Sequence, residues 1–376
     1  MKGLAPGQVR GTGSQIILNN AYHLLLHEAR CCRRTGWNAP VHAAQDGPIL
    51  TSRGLRGRGR CPARRGSDAA SISEEVTFRS FVDKLPHPTH AGAIDRDPER
   101  HRRGHHHGLR RLPAVDPCPG AAIAGRLGDH APACAGAHRR QRAGAAAARR
   151  HMRRDEQALF GIVQGGTDLD LRRASATAIC AIDLPGYAIG GVAVGEGTGE
   201  IRRVVEFTAP LLPDDKPRYL MGVGYERDIV AAVAAGVDMF DCVLPTRNGR
   251  NALAFTRTGP IRLRNAKHRL DPGPIDTACD CATCRGPGSE TGWPAPERRG
   301  EPDTAPAGGG FSRAYLRHLF MADEMLGPTL VSIHNIRHFQ RLLLDIRRAI
   351  RQDTWSLLER DWPVLRTGAE RSPNPP

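Results

Sequence analysis

An α/β fold on a (β/α)8-type TIM barrel, incomplete and followed by a C-terminal zinc-binding helical subdomain, is predicted by three features of this sequence. Short apolar runs alternate with helical patterns through its second half, the signature of a parallel sheet with helical crossovers. One such run, residues 237–240, ends on Asp241, a carboxylate where a parallel barrel builds its chemistry. A C-x-C-x2-C cluster, Cys279-Asp280-Cys281-Ala282-Thr283-Cys284, precedes a long helical region.

From the start of the chain, Ile16-Ile17-Leu18 reads as a strand and 22–26 as the beginning of a helix. Between about 27 and 157 the periodicity collapses into Arg, His, Pro, Ala and Gly. Only 46–51 and the strand-like 76–82 within 72–83 keep clean patterns; the rest has the composition of a disordered basic linker. Order returns at Ala158. Residues 158–164 (ALFGIVQ) predict a strand closed by Gly165-Gly166, 169–182 a helix, and 187–194 a buried strand broken at Gly190-Gly191. Residues 219–222 predict another strand, 226–235 a helix, and 237–240 a strand that opens into an Arg-rich loop. Segments 312–326 and 336–351 predict helices, the second with an apolar stripe of Ile336, Phe339, Leu343, Ile346 and Ile350 that reads as core packing. The expected partition is an N-terminal barrel fragment at 1–26, a disrupted barrel region at 27–157 and the second half of the barrel with its loops at 158–270. A zinc-binding helical subdomain at 271–362 and a disordered tail at 363–376 complete it.

The chain has 376 residues, a net charge of +15 and an isoelectric point near 10.0. That balance fits a nucleic-acid partner, because neutralised phosphates drive such binding; an arginine-rich codon bias gives the same composition. No apolar run reaches membrane-span length and the first residues do not form a signal peptide, so no membrane partner and a cytoplasmic location are expected. In that compartment the ten cysteines suit reduced thiols or metal ligands rather than disulfides.

Three thiolates within six residues suit tetrahedral zinc, which needs one further ligand. His334, in Ser332-Ile333-His334-Asn335 and expected just before a helix, is the best candidate to complete Cys279, Cys281 and Cys284. The intervening 286–310 loop is spanned at small entropic cost, since closure cost grows slowly with length. Beside Asp241, Arg247 and Arg250 lie three residues apart, and guanidinium groups grip phosphates in a bidentate way. Solvated surface arginine is the plainer alternative.

Together, Phe160-Gly161-Ile162-Val163-Gln164-Gly165, Gly190-Gly191-Val192-Ala193-Val194-Gly195-Glu196, Tyr219-Leu220-Met221-Gly222-Val223-Gly224, 239–251, the cysteine cluster and Ser312-Arg313-Ala314-Tyr315 resemble the bacterial tRNA-guanine transglycosylases, the queuine tRNA-ribosyltransferase family. The resemblance runs through 1–26, 46–51, 72–83 and nearly all of 158–362. It implies a zinc-containing TIM barrel, usually a homodimer, that exchanges guanine at the wobble position of a tRNA anticodon loop for queuine or its 7-deazaguanine precursor. By that resemblance Asp241 is the nucleophile that attacks ribose C1′ and forms a covalent ribosyl-enzyme. Gln164 and the backbone of Gly191 and Val192 read base edges, and Met221 supplies a soft apolar face. Alone, Gly191 would read as a turn glycine and Met221 as core. Thr246, Arg247 and Arg250 grip the splayed anticodon loop, with Gly222 to Asp228 along the phosphate path.

Two segments depart from the family. Where it carries Asp-Ser-Gly-Gly-Phe-Gln after an Ile-Leu-Thr strand, with the aspartate serving in proton transfer, this chain has Ser52-Arg53-Gly54-Leu55. Where it carries a guanine-reading aspartate before Cys, this chain has His105-His106-His107-Gly108-Leu109-Arg110-Arg111-Leu112-Pro113. A forward shift of one nucleotide can turn the latter into Ile-Ile-Met-Ala-Phe-Asp-Asp-Cys, and Arg53-Gly54-Leu55 into Gly-Gly-Phe. Compensating frameshifts between about 27 and 157 are therefore expected. The family also has strands before the equivalent of Met1, so a missing first barrel strand is expected too.

Overall fold

Parallel pairing organises the strands that carry the candidate site. The computed structural model describes residues 3–20, 49–52, 75–79, 86–90, 111–113, 158–193, 195–286 and 310–366. The helix expected at 22–26, His105 to Arg110 and most of the 286–310 insertion lie outside them. One unit comprises Ile16–Met221 and Ala232–Met239; the other comprises Met1–Gln15, Gly222–Ala231 and Phe240–Pro376.

In the first unit, β1 (Ile17–Asn20), β2 (Ile49–Ser52) and β5 (Arg111–Pro113) form a three-stranded parallel sheet. Strand β3 (Glu75–Arg79) pairs antiparallel with β4 (Pro86–His90). A four-stranded sheet runs in the order β6 (Phe160–Val163), β7 (Gly186–Ile189), β8 (Arg218–Leu220) and β9 (Met239–Phe240). Phe160 registers with Gly186, and Tyr187 with Arg218, both in parallel. Every residue of β6 and β7 is buried, which explains their unbroken apolar runs: helical crossovers cover a parallel sheet on both faces.

The crossover helix Leu169–Cys180 starts at Asp168, whose carboxylate accepts from the Asp170 and Leu171 N–H groups at 3.0 Å each. Such a cap stabilises a helix by about 1 kcal/mol. Its buried face repeats as Arg172, Ser175, Ala176 and Ile179, the spacing of one helical stripe. Phe160, Ile162, Ala188 and Tyr219 form the core between layers, with Leu18, Ala158, Met221 and Met239 packed against it.

Several strands are shorter than the sequence predicts, two of them because glycine turns interrupt the run. The 187–194 run ends at Ile189, because the chain turns at Gly190 and Gly191, the latter at φ +68°. The 237–240 run keeps only Met239 and Phe240. Gly236, at φ +97°, donates to the Val233 carbonyl, and Val237 donates to the Ala232 carbonyl at 3.0 Å. Those bonds close a Schellman cap on the preceding helix and remove Val237 from the ladder.

The second unit is built on the helix Leu326–Arg351. It begins ahead of the predicted 336, so His334 stands inside a helix rather than before one. Of the predicted stripe, Ile336, Phe339 and Ile346 are buried, but Leu342 and Ala349 take the places expected for Leu343 and Ile350, and Ile350 is 57% exposed. The predicted positions follow a strict seven-residue repeat, and a straight α-helix drifts about 20° per heptad away from it.

The Arg-rich segment expected as a loop is the helix Leu244–Arg250. Pro245 sits in its first turn, where a missing N–H costs nothing. Gly249 faces the long helix so closely that a Cβ would lie 2.6 Å from Ser332 Oγ and 2.9 Å from its backbone. Asn335, fully buried, joins this region: its Oδ1 accepts from Phe255 N–H, and its Nδ2 donates to the Pro245 and Leu253 carbonyls. Strand β10 (Leu253–Ala254) pairs antiparallel with β11 (Ile261–Arg262). Residues 363–366, assigned to the tail by the sequence, are packed instead: Val364 is buried and its carbonyl accepts two bonds from Arg227.

Candidate active site and metal centre

In the first unit, the ends of β6 and β7 bring three of the expected base-binding residues together. Gln164 follows β6, and its backbone N–H donates to Ser175 Oγ at 3.1 Å. Its side-chain amide lies along Gly190 and Gly191: a Cβ on Gly190 would stand 2.6 Å from Gln164 Nε2 and 3.4 Å from Met221 Sδ. A Cβ on Gly191 would collide with Gln164 Oε1. A side chain at either position would displace the Gln164 amide, and at Gly191 it would also be strained by the positive φ. Val192 is buried, while Gly191 and Met221 are half-buried.

In the second unit, Gly222 N–H donates to Asp241 Oδ1 at 3.0 Å. The Cys242 thiol donates to the Gly222 carbonyl, and Leu244 N–H donates to Cys242 Sγ at 3.4 Å. Burial pushes the Cys242 thiol up to about 11, so it stays neutral at physiological pH and packs as an apolar group. A Cβ on Gly224 would stand 2.4 Å from Cys242. The Gly222-Val223-Gly224 turn is thus fitted against the segment that carries Asp241. Arg247 and Arg250 are exposed in the helix that follows, three residues apart and both in its last turn, with Thr246 half-buried beside them. Asp228 lies in the first turn of the helix Glu226–Ala234, where a carboxylate also favours the helix dipole.

Also in the second unit, Cys279, Cys281, Cys284 and His334 place their ligand atoms within 4.8 Å of one another. His334 Nδ1 stands 3.6 Å from Cys281 Sγ and 3.3 Å from Cys284 Sγ. Tetrahedral zinc at usual bond lengths separates a sulfur and a nitrogen ligand by about 3.5 Å, so the cluster fits that ion. Cys281 is the N-cap of the short helix Ala282–Arg285, its sulfur accepting from Cys284 N–H at 3.4 Å; the cluster straddles a helix start rather than a loop. His334 Nε2 is 2.7 Å from the Phe255 carbonyl, which selects the tautomer that presents Nδ1 to a metal. Hydrogen bonds from the Cys279 and Cys284 thiols hold the Cys281 thiol well below the usual cysteine range, while the same sharing, with burial, pushes Cys284 up. Arg337 donates to both carboxylate oxygens of Asp280, between the cysteines, and holds that carboxyl low. Leaving at Gly286, the chain returns at Gly310, where Phe311 N–H donates to the Thr283 carbonyl.

A family model described as Queuine tRNA-ribosyltransferase matches residues 134–364. This chain belongs to the queuine tRNA-ribosyltransferase family. The family member of Zymomonas mobilis named queuine tRNA-ribosyltransferase is 39% identical over 366 residues, covering 96% of this chain and 85% of its own length. Its namesake in Synechococcus elongatus is 39% identical over 94% of this chain and 82% of its own. A relative of the same name from Polaromonas is 52% identical over 193 residues, about half of this chain.

The structure also holds residues of this queuine tRNA-ribosyltransferase family member that sequence reasoning passed over. Arg172 is fully buried beneath the Gln164 and Gly190 turns. Its signal was a charged residue on the same helical stripe as Ala176 and Ile179. Glu226 and His338, both buried, meet at 2.8 Å beside Phe255 and Trp362; 112 residues separate them, and no local pattern links them. Among the described residues no helix is long and apolar enough to cross a membrane.

Proposed function

We propose that this chain is a tRNA-guanine transglycosylase, exchanging guanine at the wobble position of a tRNA anticodon loop for queuine or its 7-deazaguanine precursor. The observation that carries this reading is Asp241, held through Oδ1 by Gly222 N–H immediately ahead of a helix with two exposed arginines, in a chain of this family. The Asp241 carboxylate attacks ribose C1′ as the glycosidic bond to guanine breaks, and guanine takes a proton from solvent as it leaves; the incoming base then displaces the carboxylate from C1′ and gives up its ring N–H proton to solvent, so the exchange is proton-neutral. A carboxylate stabilises the oxocarbenium character of both displacements. Gln164 and the Gly191 and Val192 backbone read the base against Met221. Thr246, Arg247 and Arg250 hold the splayed RNA, with Gly222 and Asp228 on the phosphate path.

Zinc on Cys279, Cys281, Cys284 and His334 supplies structure rather than chemistry, since four protein ligands leave no open position. The parallel strands fit a TIM-type barrel, and family likeness supports a cytoplasmic homodimer. Exchange of labelled guanine into a cognate tRNA tests the reaction, with Asp241→Asn as control. No exchange by the folded protein overturns it.

The departures at 52–55 and 105–113 favour a second reading, a catalytically silent zinc-bearing subunit or a decayed enzyme of the family. Both family aspartates are absent from those segments. Trapping a covalent RNA adduct on Asp241 separates the two readings: the silent form traps none.

A further inference from the structure

Arg172 is buried with no exposed surface, and among the described residues every hydrogen bond of its guanidinium goes to a backbone carbonyl at the end of β6 or in the turns that follow β6 and β7. Its Nε donates to Gly166 at 2.9 Å. Nη1 donates to Val163 at 3.1 Å and Gly190 at 2.7 Å, and Nη2 donates to Gly191 at 3.3 Å. Burial draws its pKa down to about 10, against the opposing pull of Glu196, so the group remains a cation at neutral pH. Burying a guanidinium for packing alone is unfavourable, and an aliphatic side chain would fill this position on the Ala176 and Ile179 stripe. The arrangement fits a different purpose.

In a trans peptide the carbonyl of one residue and the N–H of the next point in opposite directions. Drawing the Gly190 and Gly191 carbonyls onto Arg172 therefore aims the Gly191 and Val192 N–H groups away from the helix. Among the described residues neither N–H has a hydrogen-bond partner, and preorganised donors of this kind suit an acceptor edge of a ligand. The same guanidinium fixes Val163 and Gly166 on either side of Gln164.

We propose that Arg172 is a positioning residue for base recognition, locking the 163–166 and 190–191 turns so that Gln164 and two backbone N–H groups face the base as one rigid reader. The inference rests on the base-exchange reading for its ligand, and on geometry alone for its mechanics.

The test uses the full chain with Arg172→Lys, which keeps charge but not the four-carbonyl fork, and Arg172→Met, which keeps volume only. Guanine KM is expected to rise at least tenfold in both. Affinity for tRNA should stay within twofold, and the Gly191 and Val192 amides should exchange hydrogen faster while Gly186–Ile189 stays protected. A guanine KM within twofold of wild type in either variant overturns the proposal, as does a parallel fall in guanine and tRNA affinity. Should the wild-type chain fail to exchange guanine, the reaction reading fails and hydrogen exchange decides alone. Faster exchange confined to the two turns then supports the clamp, and uniform or unchanged exchange rejects it.

Discussion

Gly222 donates its backbone N–H to Asp241 Oδ1 at 3.0 Å, across nineteen positions of sequence, so a glycine turn orients the side chain proposed as the nucleophile. Asparagine at 241 retains an oxygen in that place but is no nucleophile. Asp241→Asn should lose at least about 10³-fold in exchange rate with an unchanged melting temperature and no trapped RNA adduct. A folded variant that still exchanges guanine would remove Asp241 from the chemistry.

Gly222 itself adopts φ +78°. Gly222→Ala should cost about 1 kcal/mol of stability, and by moving the carboxylate it should lower kcat by up to about 10²-fold. The check is kcat beside the urea midpoint; stability loss without a kcat change would leave the hydrogen bond purely structural.

The cysteine cluster predicts one zinc per chain by metal analysis. Chelation, or His334→Ala, should release it and lower stability by several kcal/mol, which is on the order of 10 °C in melting temperature for a chain of this size. Metal-free soluble protein with the same melting temperature would refute the site.

Gly249→Ala pits two effects against each other. In an exposed helix interior alanine would stabilise by about 1 kcal/mol, but here its Cβ meets Ser332 backbone at 2.9 Å. Overpacking of two helices costs about 1–3 kcal/mol, so net destabilisation is expected in denaturant unfolding. An increase in stability would show that the helices separate freely.

Arg247→Ala and Arg250→Ala should each weaken tRNA binding and reduce the slope of log affinity against log salt by about 1, without affecting the melting temperature. Filter binding across a salt series measures this; an unaltered slope would assign both arginines to open surface.

Compensating frameshifts in the gene would restore the family aspartates missing between 27 and 157. Resequencing the locus should find the insertions and deletions, and an undisturbed reading frame would retire the idea.

What the sequence determined by itself was local and periodic. Unbroken apolar runs marked β6 and β7 because a parallel sheet buries both faces, and thiol spacing marked the cluster able to hold a metal because short-range geometry sets which sulfurs can converge. Chain order placed Asp241 at a strand end for the same reason. Only the tertiary structure decided contacts made at long range. The Arg-rich segment became a helix because Gly249 permits close packing on Ser332, and His334 lies inside a helix because residues upstream of it pack as core. Arg172 reaches four carbonyls from two different turns, and Glu226 meets His338 from 112 residues away. A buried polar group is defined by the partners that surround it, and those partners are neighbours in space rather than in sequence.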